Sequence, residues 1–453
     1  MRPRKTTAAA SAESRPRSVS DTAAARRRGL KYVLMLGALA ALPAVTTDMY
    51  LPALPAVAED LETTAAAAQF TLSGTLLGAA VGQLVIGPFS DRVGRRLPLL
   101  LGISLHVLVS LLCSVVPNIE TLIGLRVLQG FFNAAAGVVA IAVIRDRFQG
   151  SDAARMLSRL MLIIGLAPLL APTLGQAVIA VWQWRAVFLA LALIGVVLVV
   201  IVWRWMPETL PPHRRARAAA AAETAEAARA AAAGEDAAAA RPRGYRVLLR
   251  DRRFLSLAVL PGLGMGVIMS YVVGSPFVFQ EQYGFSPAQF AGIFAFNGVA
   301  MVVTAQVNAA LVQRAAPLRI LRTAAPAMLV LALLLPLVIS LDLGGVVGLI
   351  AVLWLVLGMQ GFIMANASAL ALNDYGHMAG TAAALIGCLQ VGLAGLISPL
   401  VGLLGSSALD LSVVVIGCAT LMVLILAFGA SAYSRRGPGT RRSLRRPPAA
   451  AGN

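Results

Sequence analysis

Gly87-Pro88-Phe89-Ser90-Asp91-Arg92-Val93-Gly94-Arg95-Arg96 decides how this chain is built. The stretch sets Asp91, Arg92, Arg95 and Arg96 between two long apolar runs, 69–90 and 97–116. Gly and Pro supply the turn, and the charges, costly in hydrocarbon, hold it at a membrane surface. Asp91 is placed to cap the positive end of a neighbouring helix. Working outward, the same alternation of apolar run and polar break continues through the chain. Spans are predicted near 32–54, 69–90, 97–116, 121–144, 157–180, 186–206, 254–279, 288–312, 320–340, 343–368, 380–404 and 409–433. Each is about the twenty residues needed to cross a bilayer core. Composition agrees: 58% of the 453 residues are hydrophobic and 13% charged, against about 25% charged in soluble domains.

The spans fall into two sets of six. Between them, 207–253 opens Pro207-Glu208-Thr209-Leu210-Pro211-Pro212 and continues Ala-rich with scattered charges, which reads as a linker between separately packed halves. The expected layout is a basic, disordered tail over 1–31, a first bundle over 32–206, the linker, a second bundle over 254–433 and a basic tail over 434–453. Transporters built from repeated bundles share this plan. With both termini cytoplasmic, one side collects Arg92, Arg95, Arg96, Arg145, Arg147, Arg155, Arg159, Arg314, Arg319, Arg322 and the tails. The other collects Glu59, Asp60, Glu62, Glu120, Glu281, Asp342 and Asp410, with Arg185 as its basic residue. Cytoplasmic loops carry Lys and Arg in excess. The net charge of +18 is thus a topology signal, and nucleic acid is not implied. Cys113, Cys388 and Cys418 lie in apolar runs and read as small core residues, not as disulfides or metal ligands. The Arg-, Ala- and Ser-rich start lacks an apolar core, so no cleaved signal peptide is expected. No phosphate-cradling Gly-rich loop, metal cluster or nucleophile beside a base is evident. An enzyme, an ATP-driven pump and a bound cofactor are therefore not indicated.

Thr46-Thr47-Asp48-Met49-Tyr50-Leu51-Pro52-Ala53-Leu54-Pro55 carries the chemistry. Of the 20 acidic residues, Asp48 falls inside a predicted span, where a charge costs about 2.5–3.5 kcal/mol and commonly marks an ion or substrate path. Arg126 is its basic counterpart, in the fourth span. Each lies about six residues below the far-side end of its helix, roughly 9 Å at 1.5 Å per residue. An Asp48–Arg126 coupling, direct or through water, is the natural reading. The bland alternative is a structural pair that only locks helix 1 to helix 4. A buried carboxylate whose distance from a cation changes through a cycle can bind and release a proton, and a single such acid implies about one proton per turnover. Gln129 and Asn133 follow Arg126 on the same helical stripe, Tyr50 follows Asp48, and all three are substrate candidates. Pro52 and Pro55 are expected to open the end of helix 1.

Helix 5 carries Gly165, Pro168, Pro172 and Gly175 on one face, suited to close packing and hinging or to packing alone. The second bundle shows no embedded charge. Its polar residues Tyr271, Asn297 and Gln390 are substrate candidates, and its Phe and Met residues either form an adaptable wall or pack ordinarily. His106, alone in mid-helix 3, reads as a packing residue.

The Asp91 loop resembles the signature of the major facilitator superfamily, which implies an all-α membrane protein of twelve transmembrane helices in two six-helix bundles. That resemblance implies gating roles for Asp91, Arg92, Gly94 and Arg95, with Asp91 acting in a latch near helix 11, and for Pro168 and Pro172. The helix-5 stretch looks like the motif of drug/proton antiporters, with Gln176 where a second Gly is usual. The fuller resemblance is to the bicyclomycin- and chloramphenicol-resistance (Bcr/CflA) antiporters. It runs through 48–55, Gly82-Gln83, 167–172, Trp184-Arg185, 207–212, Ser275-Pro276-Phe277-Val278 and His377-Met378-Ala379-Gly380-Thr381-Ala382. It implies export of small lipophilic antibiotics against protons through a bacterial inner membrane by a monomer needing no cofactor, with Asp48 as the coupling acid. A metabolite exporter or symporter on the same fold is the alternative.

Overall fold

Hydrocarbon offers no water to satisfy backbone N–H and C=O groups, so each apolar run closes its hydrogen bonds within itself as a helix. The computed structural model describes residues 19–148, 150–210, 243–375 and 378–434, and no strand occurs among them. The long helices are α1 (Val19–Asp48), α2 (Ala65–Val93), α3 (Arg96–Cys113), α4 (Ile119–Arg147), α5 (Gly150–Ile179), α6 (Arg185–Trp205), α7 (Arg252–Pro276), α8 (Pro287–Leu311), α9 (Pro317–Ser340), α10 (Gly345–Asn373), α11 (Ala379–Ile397) and α12 (Ala408–Ser434). Eleven are long and apolar enough to cross a membrane as they stand. The twelfth, α5, is bent by 40° between 155–168 and 170–179, at the prolines expected to bend it.

Two boundaries differ from expectation. The first span does not stop near 54: after Asp48 the chain turns at Met49-Tyr50, makes a 3-10 turn over Leu51–Ala53 and resumes as a helix over Leu54–Asp60. Pro52 and Pro55 each sit in the first turn of these segments, where a missing N–H costs nothing. They restart the helix instead of ending it. At the other end, α1 begins at Val19, inside the stretch expected to be a disordered tail. The linker also has structured ends, with Glu208 and Leu210 folded against the first bundle and a short helix at Arg243–Arg250 whose Leu248 is buried. The tail to residue 18, the stretch 211–242 with His213, His377, and the tail from 435 lie outside the described residues.

Packing reveals an internal repeat. In the first bundle α2 packs on α4, α1 on α4 and α5, and α3 on α4 and α6. In the second, α8 packs on α10, α7 on α10 and α11, and α9 on α10 and α12. Adding six to each number of the first set gives the second. The bundles meet through α2 with α11 and α5 with α8, which exchange under the same rule. Helices in lipid associate through close backbone approach at small residues. Gly74, Gly78 and Gly82 make such a stripe on α2: a Cβ at Gly78 would lie 1.9 Å from the carbonyl oxygen of Val127 on α4, and one at Gly130 would lie 1.9 Å from that of Thr75.

One face of the molecule gathers the helix ends bearing Arg92, Arg95, Arg147, Arg314 and Arg319, and is called here the basic face. The opposite, acidic face bears Glu59, Asp60, Glu120, Asp342 and Asp410. Toward the acidic face the bundles are joined: Gln69 Nε2 donates to Ser406 Oγ at 3.0 Å, and Ser73 and Ser398 share a 3.1 Å hydrogen bond. Toward the basic face lie the cavities described below. A further cavity of about 570 Å³, bordered by Pro52, Glu59, Gln280 and Glu281, lies toward the acidic face.

Because α2 and α4 touch backbone to backbone, Gly130→Ala is expected to destabilise the protein by about 1–3 kcal/mol through overpacking. Gly124→Ala, whose Cβ would meet nothing within 4 Å, is expected to be neutral. Thermal unfolding of the purified variants in detergent checks both.

Candidate functional site

The first bundle encloses one charge at its centre. Arg126 on α4 is fully buried. Its Nη1 donates to the carbonyl of Thr46 on α1 at 3.3 Å and to Oε1 of Gln129 one turn along α4. The guanidinium lies 4.8 Å from the centroid of the Tyr50 ring and 5.6 Å from that of Phe188 on α6, and a cation over a desolvated ring face is stabilised by about 2 kcal/mol. Gln129 in turn donates from Nε2 to Ser110 Oγ on α3 at 2.7 Å, and Ser110 Oγ donates to the carbonyl of His106 at 2.7 Å. Four helices therefore contribute to the surroundings of one cation. Nε and Nη2 of Arg126 have no protein partner among the described residues.

Asp48 is the last residue of α1 proper, 5% exposed, at the break where the helix turns. No ion pair or hydrogen bond joins it to Arg126 among the described residues. Arg126 instead touches the Thr46 carbonyl and the Tyr50 ring, which flank Asp48 at a spacing of two residues, a spacing that does not share a helical face. The break itself is pinned from α5, where a Cβ at Gly175 would stand 1.9 Å from the carbonyl oxygen of Met49. The helix-5 face thus splits: Gly175 packs against α1 beside Asp48, Pro172 is buried, and Gly165 and Pro168 line a groove toward α8.

Other candidates divide between cavity and core. Asn133, 3% exposed, borders a cavity of about 220 Å³ with Ala40 and Pro43 of α1, Gln83 of α2 and Ile164 of α5. Tyr50 and Gln129 are buried within the bundle, Tyr50 between Thr71 (3.4 Å) and the Phe188 ring (5.2 Å between centroids). Tyr271 and Asn297 form a buried pair, Asn297 Nδ2 donating to Tyr271 Oη at 2.9 Å, with Phe294 stacked on the tyrosine. Gln390 is half-buried on α11. His106 is buried against α6 near Gly195.

The structure also exposes a correspondence not drawn from the sequence. Gln129-Gly130-Phe131 on α4 recurs as Gln360-Gly361-Phe362 on α10, and Tyr50 of the first span recurs as Tyr271 of α7. Reading three residues back from each Gln pairs Arg126 with Leu357, and two back from each Tyr pairs Asp48 with Met269. Both charges of the first bundle have apolar equivalents in the second.

At the basic face, Arg95 anchors the Gly87–Arg96 loop. It is 7% exposed and pairs with Asp91 at 2.6 Å and with Asp146 of α4 at 2.9 Å, and its Nη1 donates to Ser90 Oγ. Gly94 ends α2 with φ of +106°, a region L side chains rarely adopt. Arg92 is exposed. Asp91 caps no neighbouring helix, because Arg95 occupies it from one turn away. The cap of α3 comes instead from Glu208, whose Oε1 and Oε2 accept from the backbone N–H groups of Arg95 (2.9 Å) and Arg96 (3.2 Å). Glu208 also accepts from Thr209 and Leu210. Asp91, Arg95 and Asp146 border a vestibule of about 570 Å³ that Thr381 and Ala384 of α11 close on the far side.

Residues 34–399 match the Major Facilitator Superfamily. The chain belongs to this superfamily. As a facilitator-superfamily transporter it is similar to YdgK, an MFS-type transporter of Bacillus subtilis, at 33% identity over 88% of this chain and 94% of the relative. It is 30% identical to a bicyclomycin resistance protein homolog of Haemophilus influenzae, over 82% of this chain and 88% of that one. A chloramphenicol resistance protein of Pseudomonas aeruginosa matches at 30%, over 89% and 90%. Among solved structures, the nucleoside transporter NupG superposes with a TM-score of 0.67 at 12% identity, over 89% of this chain and 99% of that one, and so shares the fold. Helices α1, α2, α4 and α5 surround the Asn133 cavity, and Asp48 is not among the residues that line it.

Partial burial of Glu208 works against its ionisation, but the N–H groups of Arg95, Leu210, Arg96 and Thr209 outweigh it and hold the carboxyl below its usual 4.5. A depressed folded value means that this cap stabilises above the unfolded pKa and is lost as pH falls through the folded one. Glu208→Gln is expected to lose a helix cap, about 0.5–2 kcal/mol. Unfolding measured from pH 7 down to pH 3 should show the gap between variant and parent closing below about pH 4.5.

Proposed function

We propose that this facilitator-superfamily chain is a proton-coupled exporter of small lipophilic antibiotics, with chloramphenicol- and bicyclomycin-type compounds as its substrate class. The observation that carries the reading is Asp48 itself: a buried carboxylate at a break in α1, in the same bundle as the fully buried Arg126. The names of the relatives support the substrate class.

In this reading the basic face is cytoplasmic, both termini lie there, and the membrane is the bacterial inner membrane. Drug reaches the cavity bordered by Asn133 and Gln83 and competes with the proton on Asp48. Arg126 sets that competition. Its guanidinium is carried by α4 and reaches the Thr46 carbonyl of α1, so a motion that parts α1 from α4 changes how strongly the cation bears on Asp48. With drug bound the bundles rock, the joints at Ser73–Ser398 and Gln69–Ser406 part, and the site opens to the acidic side. There a proton replaces the drug, and about one proton returns per cycle. The Arg95 knot with Asp91 and Asp146 gates the cytoplasmic side, where α11 closes the vestibule. From the second bundle the half-buried Gln390 is the remaining substrate candidate, since Tyr271 and Asn297 pack on each other in the core, and the chain works as a monomer with lipid around it.

Proteoliposomes with an imposed pH gradient test this. Wild-type protein is expected to drive chloramphenicol uphill against the flow of protons, and Asp48→Asn to lower that driven movement at least tenfold while leaving gradient-free counterflow intact. Chloramphenicol moving uphill in the same direction as protons would establish symport instead.

A further inference from the structure

We propose that Gln83 on α2 and Asn133 on α4 form an uncharged two-amide subsite that selects neutral, hydrogen-bonding substrates over lipophilic cations, with Gln83 as the specificity-determining residue. The inference rests on the export reading above and narrows its substrate class. Its ground is the polar groups that the fold leaves uncommitted. Gln129 is engaged at both ends, by Arg126 and by Ser110, and Tyr271 accepts from Asn297. Asn133, by contrast, is 3% exposed and its Oδ1 is buried without a partner among the described residues. Gln83 is half-buried and makes no hydrogen bond among them. Buried polar groups are as a rule hydrogen-bonded, so an orphan at a cavity wall asks for a ligand or another account.

Both amides border the same cavity of about 220 Å³. Small side chains hollow it out: Ala40 on α1, Ala79 on α2, and Ala134 and Gly137 on α4. Gln83 follows Ala79 by one turn and Gly137 follows Asn133 by one, so each helix presents an amide and a small residue on one face. Among the described residues no charged side chain lines the cavity, and neither Asp48 nor Arg126 belongs to its wall. Gln83 also borders the Asp91–Arg95 vestibule, which places its carboxamide where charged and uncharged surroundings meet. Its Oε1 reaches toward α11, 3.5 Å from where a Cβ on Gly387 would stand. Within apolar walls, a ligand hydroxyl or amide satisfies the donors and acceptors that these two side chains hold open. A permanent cation finds no carboxylate there and gives up its water. A ligand without hydrogen-bonding groups leaves both amides unpaired, and sites of this kind discriminate strongly against it.

Titration calorimetry of the purified protein tests this with two probes: chloramphenicol, a neutral compound with hydroxyl and amide groups, and tetraphenylphosphonium, a cation with neither. Wild-type protein is expected to bind chloramphenicol at least tenfold more tightly than tetraphenylphosphonium. Gln83→Leu and Asn133→Ala should each weaken chloramphenicol binding at least fivefold. Because the protein itself holds neither amide, neither variant should lower the unfolding midpoint by more than about 2 °C, whereas loss of a structural hydrogen bond would. Wild-type affinity for chloramphenicol in either variant, or tetraphenylphosphonium bound as tightly as chloramphenicol by the wild type, would overturn the subsite. Driven transport in proteoliposomes, run on the same proteins, separates this from the export reading. Unchanged affinity together with full chloramphenicol export by both variants would sink the subsite and leave export standing. Amide-dependent binding in a protein that moves no chloramphenicol would keep the subsite and sink the exporter reading instead.

Discussion

A single guanidinium has to remain charged inside a bundle that offers it no carboxylate contact. Arg126 is fully buried, and a buried charge deprived of partners costs several kcal/mol. The first bundle is arranged around meeting that demand: a carbonyl from α1, an amide from α4, and ring faces from α1 and α6. The carbonyl of Thr46 is accessible because α1 is about to break, and the break is where Asp48 sits. Structure and chemistry are one constraint here.

The internal repeat shows what was specialised. Both bundles keep the Gln-Gly-Phe turn on their central helix and a buried Tyr on their leading one, so the framework of close α2–α4 and α8–α10 contacts is common to both. Leu357 and Met269 stand in the second bundle where Arg126 and Asp48 stand in the first. The two charges at these positions both lie in one half, while the polar groups buried in the other, among them Tyr271, Asn297 and Gln360, are uncharged. In the proposed cycle this asymmetry leaves one carboxylate and one cation to respond to the rocking motion. The knot at the basic face shows the same economy: Glu208 holds the backbone of the α2–α3 turn, so Arg95 is free to bridge Asp91 and Asp146.

Much of this was legible in the sequence. Long apolar runs separated by charged turns announce spans because burial of backbone in lipid leaves no other solution, and the Gly87–Arg96 loop names the fold. Asp48 and Arg126 stand out because charge is rare there. What escaped the sequence is three-dimensional. Pro52 and Pro55 read as the end of span 1, whereas proline in a first helical turn restarts it, which puts Asp48 deeper than the expected six residues from the end. Tyr50 and Gln129 read as substrate candidates in the sequence, but the Tyr50 ring and the Gln129 Oε1 both pack on Arg126. Glu208 read as linker because a cap contributed from a distant segment leaves no local pattern. The Gly74, Gly78 and Gly82 stripe was present in the sequence as a four-residue period, and only its facing partner, the α4 backbone, gave it meaning.

The central claim is that the proton displaced by substrate resides on Asp48. Proton release on adding chloramphenicol to purified, lightly buffered protein, followed with a pH-sensitive dye, tests it most directly. The account predicts release of about one proton per protein from the wild type and none from Asp48→Asn, with binding of the compound retained in both. Equal proton release from the two proteins would contradict it.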